Sequence, residues 1–339
     1  MIQDALKKLV KKQDLTREES SACMVEMLEA KATPAQVGSY LSLLAAKGET
    51  VDEIVGGMEV MRKHMVRITC PDPDAVDVCG TGGDHAGTFN ISTASAFVLA
   101  GGDVTVAKHG NRAASSQCGS AEVLQELGVR IDAPIPVLEK CLKEARIAFL
   151  FAPAFHPAMK NVGPIRKELG LRTLFNILGP LCNPAGVTRQ VIGVFDPEKA
   201  RLMARALVRA GSVQVVTLNS RDGLDEVSCA GATDLFEMRP AWKELETLTL
   251  YPEVFGFTRW PVEQLAGGNA AVNAGILRGI LEGRETGARR DAVVMSAALG
   301  FYVSGRVQHV QDGIQAAKES LDSGRAARAL ETLIGVSKG

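Results

Sequence analysis

Glycines and residues with hydroxyl side chains are concentrated in the stretch GTGGDHAGTFNIST, residues 80–93, directly after the apolar run AVDVC. His85 stands where a dinucleotide fingerprint has its third glycine, and no G-K-[ST] follows as in a Walker loop. The glycines leave backbone amides accessible, and NISTAS places Asn90, Ser92 and Thr93 at a predicted helix N-terminus. Free N–H groups and the positive end of a helix dipole bind anions at such a position. The local chemistry fits a phosphate site, and it also fits a plain turn before an N-capped helix.

A second polar cluster, AKHGNRAASSQCGSAE at residues 107–122, follows the next predicted strand. Lys108, His109 and Arg112 supply positive charge in this cluster. Its hydrogen-bonding side chains are those of Asn111, Ser115, Ser116 and Ser120. Ser120 also precedes AEVLQELG, where an N-cap is its ordinary structural role. Two loops of this kind after two strands suit a ligand with phosphates at both ends.

Charged side chains mark two further clusters. Asp225 and Glu226 are adjacent in RDGLDEVSC, after the predicted strand VQVVTLN. Adjacent acids usually form a solvated turn, but Mg²⁺ takes one or two carboxylates together with phosphate oxygens and water. Arg166 and Lys167 lie on a predicted helix in HPAMKNVGPIRKELG, where surface charge is the ordinary role of both. A guanidinium that faced a cleft would bind a carboxylate in bidentate fashion.

The elements that must position these clusters are of two kinds. Residues 1–70 predict a small all-helical domain, because apolar residues recur at helical spacing between three capping boxes: Thr16 with Glu19, Thr33 with Gln36, and Thr50 with Glu53. TCPDPDA, residues 69–75, predicts a linker. Residues 71–339 alternate short β-rich runs with helical stretches, which predicts a large α/β domain with a mainly parallel sheet flanked by helices. A helical segment at about 157–185 interrupts this alternation, and we expect it to join the small domain. Ligands in such sheets bind beyond the carboxyl ends of the strands.

Composition narrows the class of protein. The chain has 339 residues, of which 46% are hydrophobic and 23% charged, as in an ordinary soluble globular protein. Its net charge of -1 gives no support for a nucleic-acid or membrane partner. The seven cysteines are odd in number and contain no CxxC pair, which argues against a disulfide framework and a zinc site. The N-terminal stretch lacks the apolar core of a signal peptide, and no run has the length of a membrane-spanning helix. We therefore expect a cytoplasmic protein.

Four motifs, in order along nearly the whole chain, resemble those of the anthranilate phosphoribosyltransferase family: GTGGD…TFNIST, KHGNR…SS…GSAEVLQELG, FLFAP…HPAMK…GPIRKELGLRTLFNILGPLCNPAG and GLDEVS. The resemblance implies a fold like that of the class II nucleoside phosphorylases and a homodimer formed through the helical domain. It implies transfer of the phosphoribosyl group of 5-phosphoribosyl 1-pyrophosphate (PRPP) to the amine of anthranilate, with Mg²⁺, in L-tryptophan biosynthesis. The products would be N-(5-phosphoribosyl)anthranilate and pyrophosphate.

The resemblance also implies a role for each matched residue. The PRPP site would contain Gly80, Gly83, Asp84, Thr88, Asn90, Ile91, Ser92, Thr93, Lys108, His109, Gly110, Asn111, Arg112, Ala113, Ala114, Ser115, Ser116 and Ser120. Anthranilate would contact Gly80, Asn111 and Arg166, and Mg²⁺ would bind Ser92, Asp225 and Glu226, directly or through water. We expect no nucleophile or strong base, because the amine of anthranilate is already neutral near pH 7. Positioning and electrostatics would carry most of the rate, with Lys108 and Arg166 the side chains that matter most.

The sequence departs from the family pattern at four positions: His85, Ala86, Cys118 and Asn269. None of them is a proposed ligand. Two other functions remain open. A pyrimidine nucleoside phosphorylase shares the fold, but its loop reads more like S-T-G-G-V-G-D. The other is a non-catalytic relative that binds nucleic acid, which would show a basic surface and altered metal-binding acids. The near-neutral net charge and the intact GLDEVS both argue against it.

Overall fold

The N-terminal part of the chain is helical, as predicted. A computed structural model describes residues 1–84, 86–113 and 117–339. Its first four helices are α1 Ile2–Leu9, α2 Arg17–Leu28, α3 Pro34–Lys47 and α4 Val51–His64. All three predicted capping boxes form, each with the threonine hydroxyl accepting from the amide three residues on and with the glutamate or glutamine side chain reaching back. These reciprocal bonds fix where α2, α3 and α4 begin.

The second part of the chain builds a seven-stranded sheet. Its strands are β1 Val76–Gly80, β2 Val106–Gly110, β3 Ile147–Phe151, β4 Arg189–Gly193, β5 Gln214–Ser220, β6 Thr233–Met238 and β7 Glu246–Leu250. Their order in the sheet is β3-β2-β1-β4-β5-β6-β7. The five strands from β3 to β5 in this order are parallel, whereas β6 and β7 add antiparallel pairs at one edge. The predicted fold class, α/β with a mainly parallel sheet, is confirmed.

Helices cover both faces of this sheet. They are α5 Ile91–Gly101, α6 Ser120–Glu126, α7 Ile135–Glu144, α8 Ala152–Phe155, α9 Gly163–Leu169, α10 Leu174–Leu181, α11 Pro197–Arg209, α12 Ala270–Leu281, α13 Ala288–Val303, α14 Val310–Asp322 and α15 Arg325–Ser337. Three short 3₁₀ helices are Pro157–Asn161, Pro252–Phe255 and Val262–Leu265. The helices α8, α9 and α10 fall within or just before the segment that the sequence marked as an interruption.

Two hydrophobic cores divide the molecule between them. Alternate residues of one strand face different cores: Val191 of β4 belongs to the core with α5 and α13, and Ile192 to the core with α1–α4. The second core also contains α10 and α11, so the helical part packs on one face of the sheet through them. Lys199 of α11 adds a salt bridge to the buried Glu49. The domain division near residue 70 stays a prediction, which these two cores support.

Within the part of the chain that the structure describes, no helix combines the length and apolar character needed to cross a bilayer.

Candidate active site

The carboxyl ends of β1 and β4 meet where the strand order reverses. Gly80 at the end of β1 pairs with Gly193 at the end of β4, and the loop after β5 lies across both. A Cβ on Gly193 would lie 1.6 Å from the carbonyl oxygen of Asp225, and one on Gly80 would lie 2.6 Å from its Oδ2. Only glycine at these two positions admits the acidic loop. The loop therefore sits in the crevice where doubly wound sheets bind ligands.

The two adjacent acids of this loop point to different elements. Oδ2 of Asp225 accepts a hydrogen bond from the N–H of Gly82 at 2.5 Å, in the loop after β1. Oε1 of Glu226 accepts one from the N–H of Ser92 at 3.1 Å, in the first turn of α5. A carboxylate of the chain thus lies at the helix N-terminus that the sequence marked as an anion site.

The pKa values of both acids in this loop are raised. Burial raises the pKa of Asp225 well above its ordinary value, and the charges of Glu226 and Asp84 raise it further. Burial also raises the pKa of Glu226, although the Lys108 ammonium opposes the shift. Oδ2 of Asp84 is buried and has no hydrogen-bond partner within the described ranges. A bound cation would relieve this repulsion.

The donor set fits magnesium better than zinc. Over residues 1–84, 86–113 and 117–339, no group of three or more His, Cys, Asp or Glu side chains is arranged as a metal site. Zinc sites need three or four such protein ligands. Magnesium needs only one or two carboxylates, with substrate phosphate oxygens and water completing its shell.

Lys108 brings a buried positive charge to the same place. It is 3% exposed, and β2 carries it into the crevice beside β1. Its Nζ donates to the carbonyl of Val78 at 2.6 Å and to Oγ of Ser92 at 3.5 Å. The ammonium is therefore fixed close to the first turn of α5, facing the region where the acids converge.

Asp77 is a polar residue of this region that the sequence analysis did not identify. It is fully buried in β1, where it accepts from Nδ2 of Asn183 at 2.8 Å and from the N–H of His109 at 3.2 Å. Burial raises its pKa to about 6, while the bond from Asn183 and the charge of Lys108 lower it. An acid inside the apolar run AVDVC was the available signal. Its partner Asn183 lies 106 residues further along the chain, and no sequence signal pointed to it.

The loop after β2 is closed by its own hydrogen bonds. Oδ1 of Asn111 accepts from the N–H of Arg112 at 2.8 Å, and Oγ of Ser120 donates to the carbonyl of Asn111 at 3.3 Å. Oε2 of Glu122 accepts from the amides of Ala113 and Gly119. The expected N-cap at Ser120 is wrong: Gly119 is the N-cap of α6 and Ser120 its first residue, because Glu122 supplies the capping bond. The predicted site residues Ala114, Ser115 and Ser116, like His85, lie outside the described residues.

Two histidines meet behind this loop. The rings of His109 and His156 lie 5.2 Å apart between centroids, and both residues are buried. Burial lowers the pKa of His109 to about 3, with the neighbouring His156 and Lys108 adding to the shift. Burial lowers the pKa of His156 as well. Both rings are therefore neutral near pH 7.

The helical segment that precedes β4 supplies two arginines. Arg166 on α9 lies over the ring of Phe175 at 5.2 Å, and burial lowers its pKa. Its guanidinium has no acidic partner among the described residues. No hydrogen bond joins it to Gly80 or Asn111 within the described residues, and the three predicted anthranilate contacts stay a prediction. Arg172, which the sequence analysis missed, donates to the carbonyl of Gly83.

The remaining predicted PRPP contacts surround the start of α5. Thr88 forms an isolated bridge with Ala266, while Ile91 and Thr93 are buried in the first turn. Asn90 is the N-cap residue, but its side chain makes no capping bond and donates instead to the carbonyl of Cys118 at 3.2 Å. The structure thus gathers the loops after β1, β2 and β5 at one edge of the sheet, and Arg172 ties the α9–α10 segment to the first of them.

A helical bundle and an α/β domain with this crevice define a class of glycosyl transferases. Residues 3–65 match the helical bundle domain of the glycosyl transferase family, and residues 72–327 match its α/β domain. The chain is 49% identical to an anthranilate phosphoribosyltransferase of Pelotomaculum thermopropionicum, over 98% of this chain and 96% of that one. It is also 49% identical to one of Salinibacter ruber, over 96% and 95%.

Solved structures agree with these sequence matches. Anthranilate phosphoribosyltransferase of Thermus thermophilus superposes with a TM-score of 0.92 at 39% identity, over 99% of this chain and 100% of that one. The Saccharomyces cerevisiae protein in complex with PRPP and Mg gives a TM-score of 0.89 at 29% identity, over 99% and 98%. This chain belongs to the anthranilate phosphoribosyltransferase family, so the predicted resemblance is confirmed.

Proposed function

We propose that this chain transfers the phosphoribosyl group of PRPP to the amine of anthranilate and releases pyrophosphate, a step of L-tryptophan biosynthesis. The observation that carries the proposal is the crevice between β1 and β4, where Lys108 and Glu226 bond Ser92 in the first turn of α5 and Asp225 bonds Gly82 in the loop after β1. Such a site suits a ligand with a polyphosphate group and a bound cation. Family membership at 49% identity supports the same reaction.

The PRPP site consists of the loops after β1 and β2. Ser92 and Thr93 lie at the N-terminus of α5, where backbone N–H groups favour phosphate oxygens. Lys108 stabilises the negative charge that develops on pyrophosphate as it leaves the ribose carbon. Because Val78 and Ser92 already fix the ammonium, little reorganisation accompanies this step.

Mg²⁺ is the cofactor in this proposal, held by Ser92, Asp225 and Glu226, directly or through water. When bound, it neutralises phosphate charge and orients the leaving group. The raised pKa values of both acids mean that each must be deprotonated before it can take part. The mutual repulsion of the acidic cluster supports a cation at this place, and a yeast relative was solved with PRPP and Mg.

Anthranilate is the acceptor, and Arg166 binds its carboxylate with help from Asn111 beside Gly80. A partly buried guanidinium without an acidic partner in the described part of the chain supports this role. The amine attacks in its neutral form, so no strong base is required. The neutral His109 beside Lys108 accords with such a mechanism, which rests on positioning.

The protein acts in the cytoplasm as a homodimer formed through its helical domain. Seven free cysteines, six of them buried, support a reducing compartment.

The Arg166→Ala substitution tests the assignment of the acceptor site. We expect the KM for anthranilate to rise roughly 100-fold, because an anionic carboxylate loses its charged partner. The dissociation constant of PRPP with Mg²⁺, measured by calorimetry, should not change. Lys167→Ala, which removes the next, exposed charge on α9, is the matched control. Equal losses of affinity for both substrates would contradict the role of Arg166.

A further inference from the structure

Asn273 on α12 connects both phosphate loops, although no motif of the sequence analysis includes it. It is 2% exposed. Its Oδ1 accepts from the N–H of Gly268 at 2.8 Å, and its Nδ2 donates to Oδ1 of Asn90 at 3.0 Å. Nδ2 of Asn90 in turn donates to the carbonyl of Cys118. Two side-chain amides thus link α12, the loop after β1 and the loop after β2 in one hydrogen-bonded chain.

Backbone groups at both ends of this hydrogen-bonded network fix which atoms donate and which accept. The N–H of Gly268 can only donate and the carbonyl of Cys118 can only accept. Neither Asn273 nor Asn90 can therefore turn its amide over without bringing two acceptors or two donors together. Because the contacts are partly buried, such a mismatch costs stability.

The segment before α12 is paired with the loop after β1 as well. The N–H of Phe89 donates to the carbonyl of Leu265 at 3.0 Å, and the N–H of Gly267 donates to that of Gly87 at 2.9 Å. This segment and Asn273 thus hold the loop on one side, while Cys118 holds it on the other. The orientation of the first turn of α5 depends on both.

We propose that Asn273 is a positioning residue for PRPP: through Asn90 it sets the loops after β1 and β2 at the separation that the substrate needs. The proposal rests on the function proposed above. Oδ1 of Asn90 accepts from Asn273 and its Nδ2 donates to Cys118, so this N-cap side chain makes no capping bond to α5. Asn273 therefore stabilises an arrangement in which the N-cap side chain does not cover the first amides of α5, one of which, the N–H of Ser92, donates to Glu226.

Asn273→Asp tests this proposal without changing the shape of the side chain. A carboxylate would face Oδ1 of Asn90. The hydrogen bond between residues 273 and 90 is then lost, and two oxygens repel each other in its place. We expect the dissociation constant of PRPP with Mg²⁺, measured by calorimetry without anthranilate, to rise about tenfold, while the KM for anthranilate at saturating PRPP is unchanged. Asn273→Ala removes the same bonds without adding charge and should also weaken PRPP binding.

Asn269→Asp is the matched control on the same helix. Asn269 is the exposed N-cap of α12 and accepts from the N–H of Val272 at 3.0 Å, a bond that aspartate makes equally well. PRPP affinity should therefore stay at the wild-type value in this variant. Unchanged PRPP affinity in both Asn273 variants, or equal weakening in Asn269→Asp, would overturn the proposal. Failure of both Asn273 variants to fold, judged by circular dichroism, would also overturn it and leave a purely structural role. A wild-type chain that does not bind PRPP would contradict the proposed function instead.

Discussion

At the scale of single residues, the site is defined by charges that the fold buries. Lys108 is held by a carbonyl and a hydroxyl, and the acids of the loop after β5 are held by two backbone amides. The sequence predicted these residues because each lies in a polar cluster just after an apolar run. Asp77, Asn183 and Asn273 escaped prediction because their roles come from contacts with residues far away in the chain.

Lys108→Met should lower kcat by roughly 100-fold, because the departing pyrophosphate loses a preorganised positive charge. Steady-state kinetics with both substrates saturating would measure the change. Lys140→Met, an exposed lysine on α7, removes the same charge far from the crevice and should leave kcat unaltered. A Lys108→Met enzyme with wild-type kcat would refute the role of the ammonium.

His109 makes the stability of the protein depend on pH. Its pKa of about 3 in the folded state lies below the ordinary value of 6.5, so the folded state binds fewer protons than the unfolded one between these values. Stability is therefore lost as the pH falls below 6.5. Between pH 7 and pH 5 this one ring should cost about 2 kcal/mol.

Urea unfolding at pH 7 and pH 5 gives the change in the free energy of unfolding on acidification. The difference in this change between the wild type and His109→Asn measures the contribution of the ring. The variant should lose about 2 kcal/mol less on acidification. Asp77 has the opposite effect on stability, because its raised pKa favours the folded state on acidification. This effect is present in both proteins and cancels in the comparison. An equal loss of unfolding free energy in both proteins would show that the buried ring does not titrate as described.

At the scale of elements, the predicted strands, the alternation with helices and the capping boxes were confirmed because they depend on neighbours in sequence. The N-cap predicted at Ser120 was wrong, since Glu122 provides a capping bond to Gly119 that the local pattern does not reveal. The antiparallel pairing of β6 and β7 was likewise not predicted, because pairing direction is decided by the sheet as a whole.

Gly193→Ala tests the placement of the acidic loop by β4. An added Cβ would collide with the carbonyl of Asp225, so the loop must move and its acids with it. We expect kcat/KM for PRPP to fall roughly 100-fold, because displacement of catalytic groups by about 1 Å has effects of this size. Gly335→Ala on α15, where an added Cβ meets nothing within 4 Å, is the control and should retain activity. Full activity in Gly193→Ala would contradict the close approach.

At the scale of the whole molecule, side chains beside the core of the helical part reach the sheet. The α9–α10 segment belongs to the core of the helical part, yet Asn183 and Arg172 reach from it and its neighbourhood to β1 and the loop after it. The sequence predicted that residues 157–185 join the helical part, but it could not show which of its side chains meet the sheet. The anthranilate contacts at Gly80, Asn111 and Arg166 stay predictions.

The acceptor assay tests the central claim most directly. The purified protein, mixed with anthranilate, PRPP and Mg²⁺, should consume anthranilate and its fluorescence, release pyrophosphate, and stop when the metal is chelated. Thymidine or uridine with phosphate should give no phosphorolysis. No loss of anthranilate fluorescence under these conditions, together with robust phosphorolysis of either nucleoside, would contradict the account.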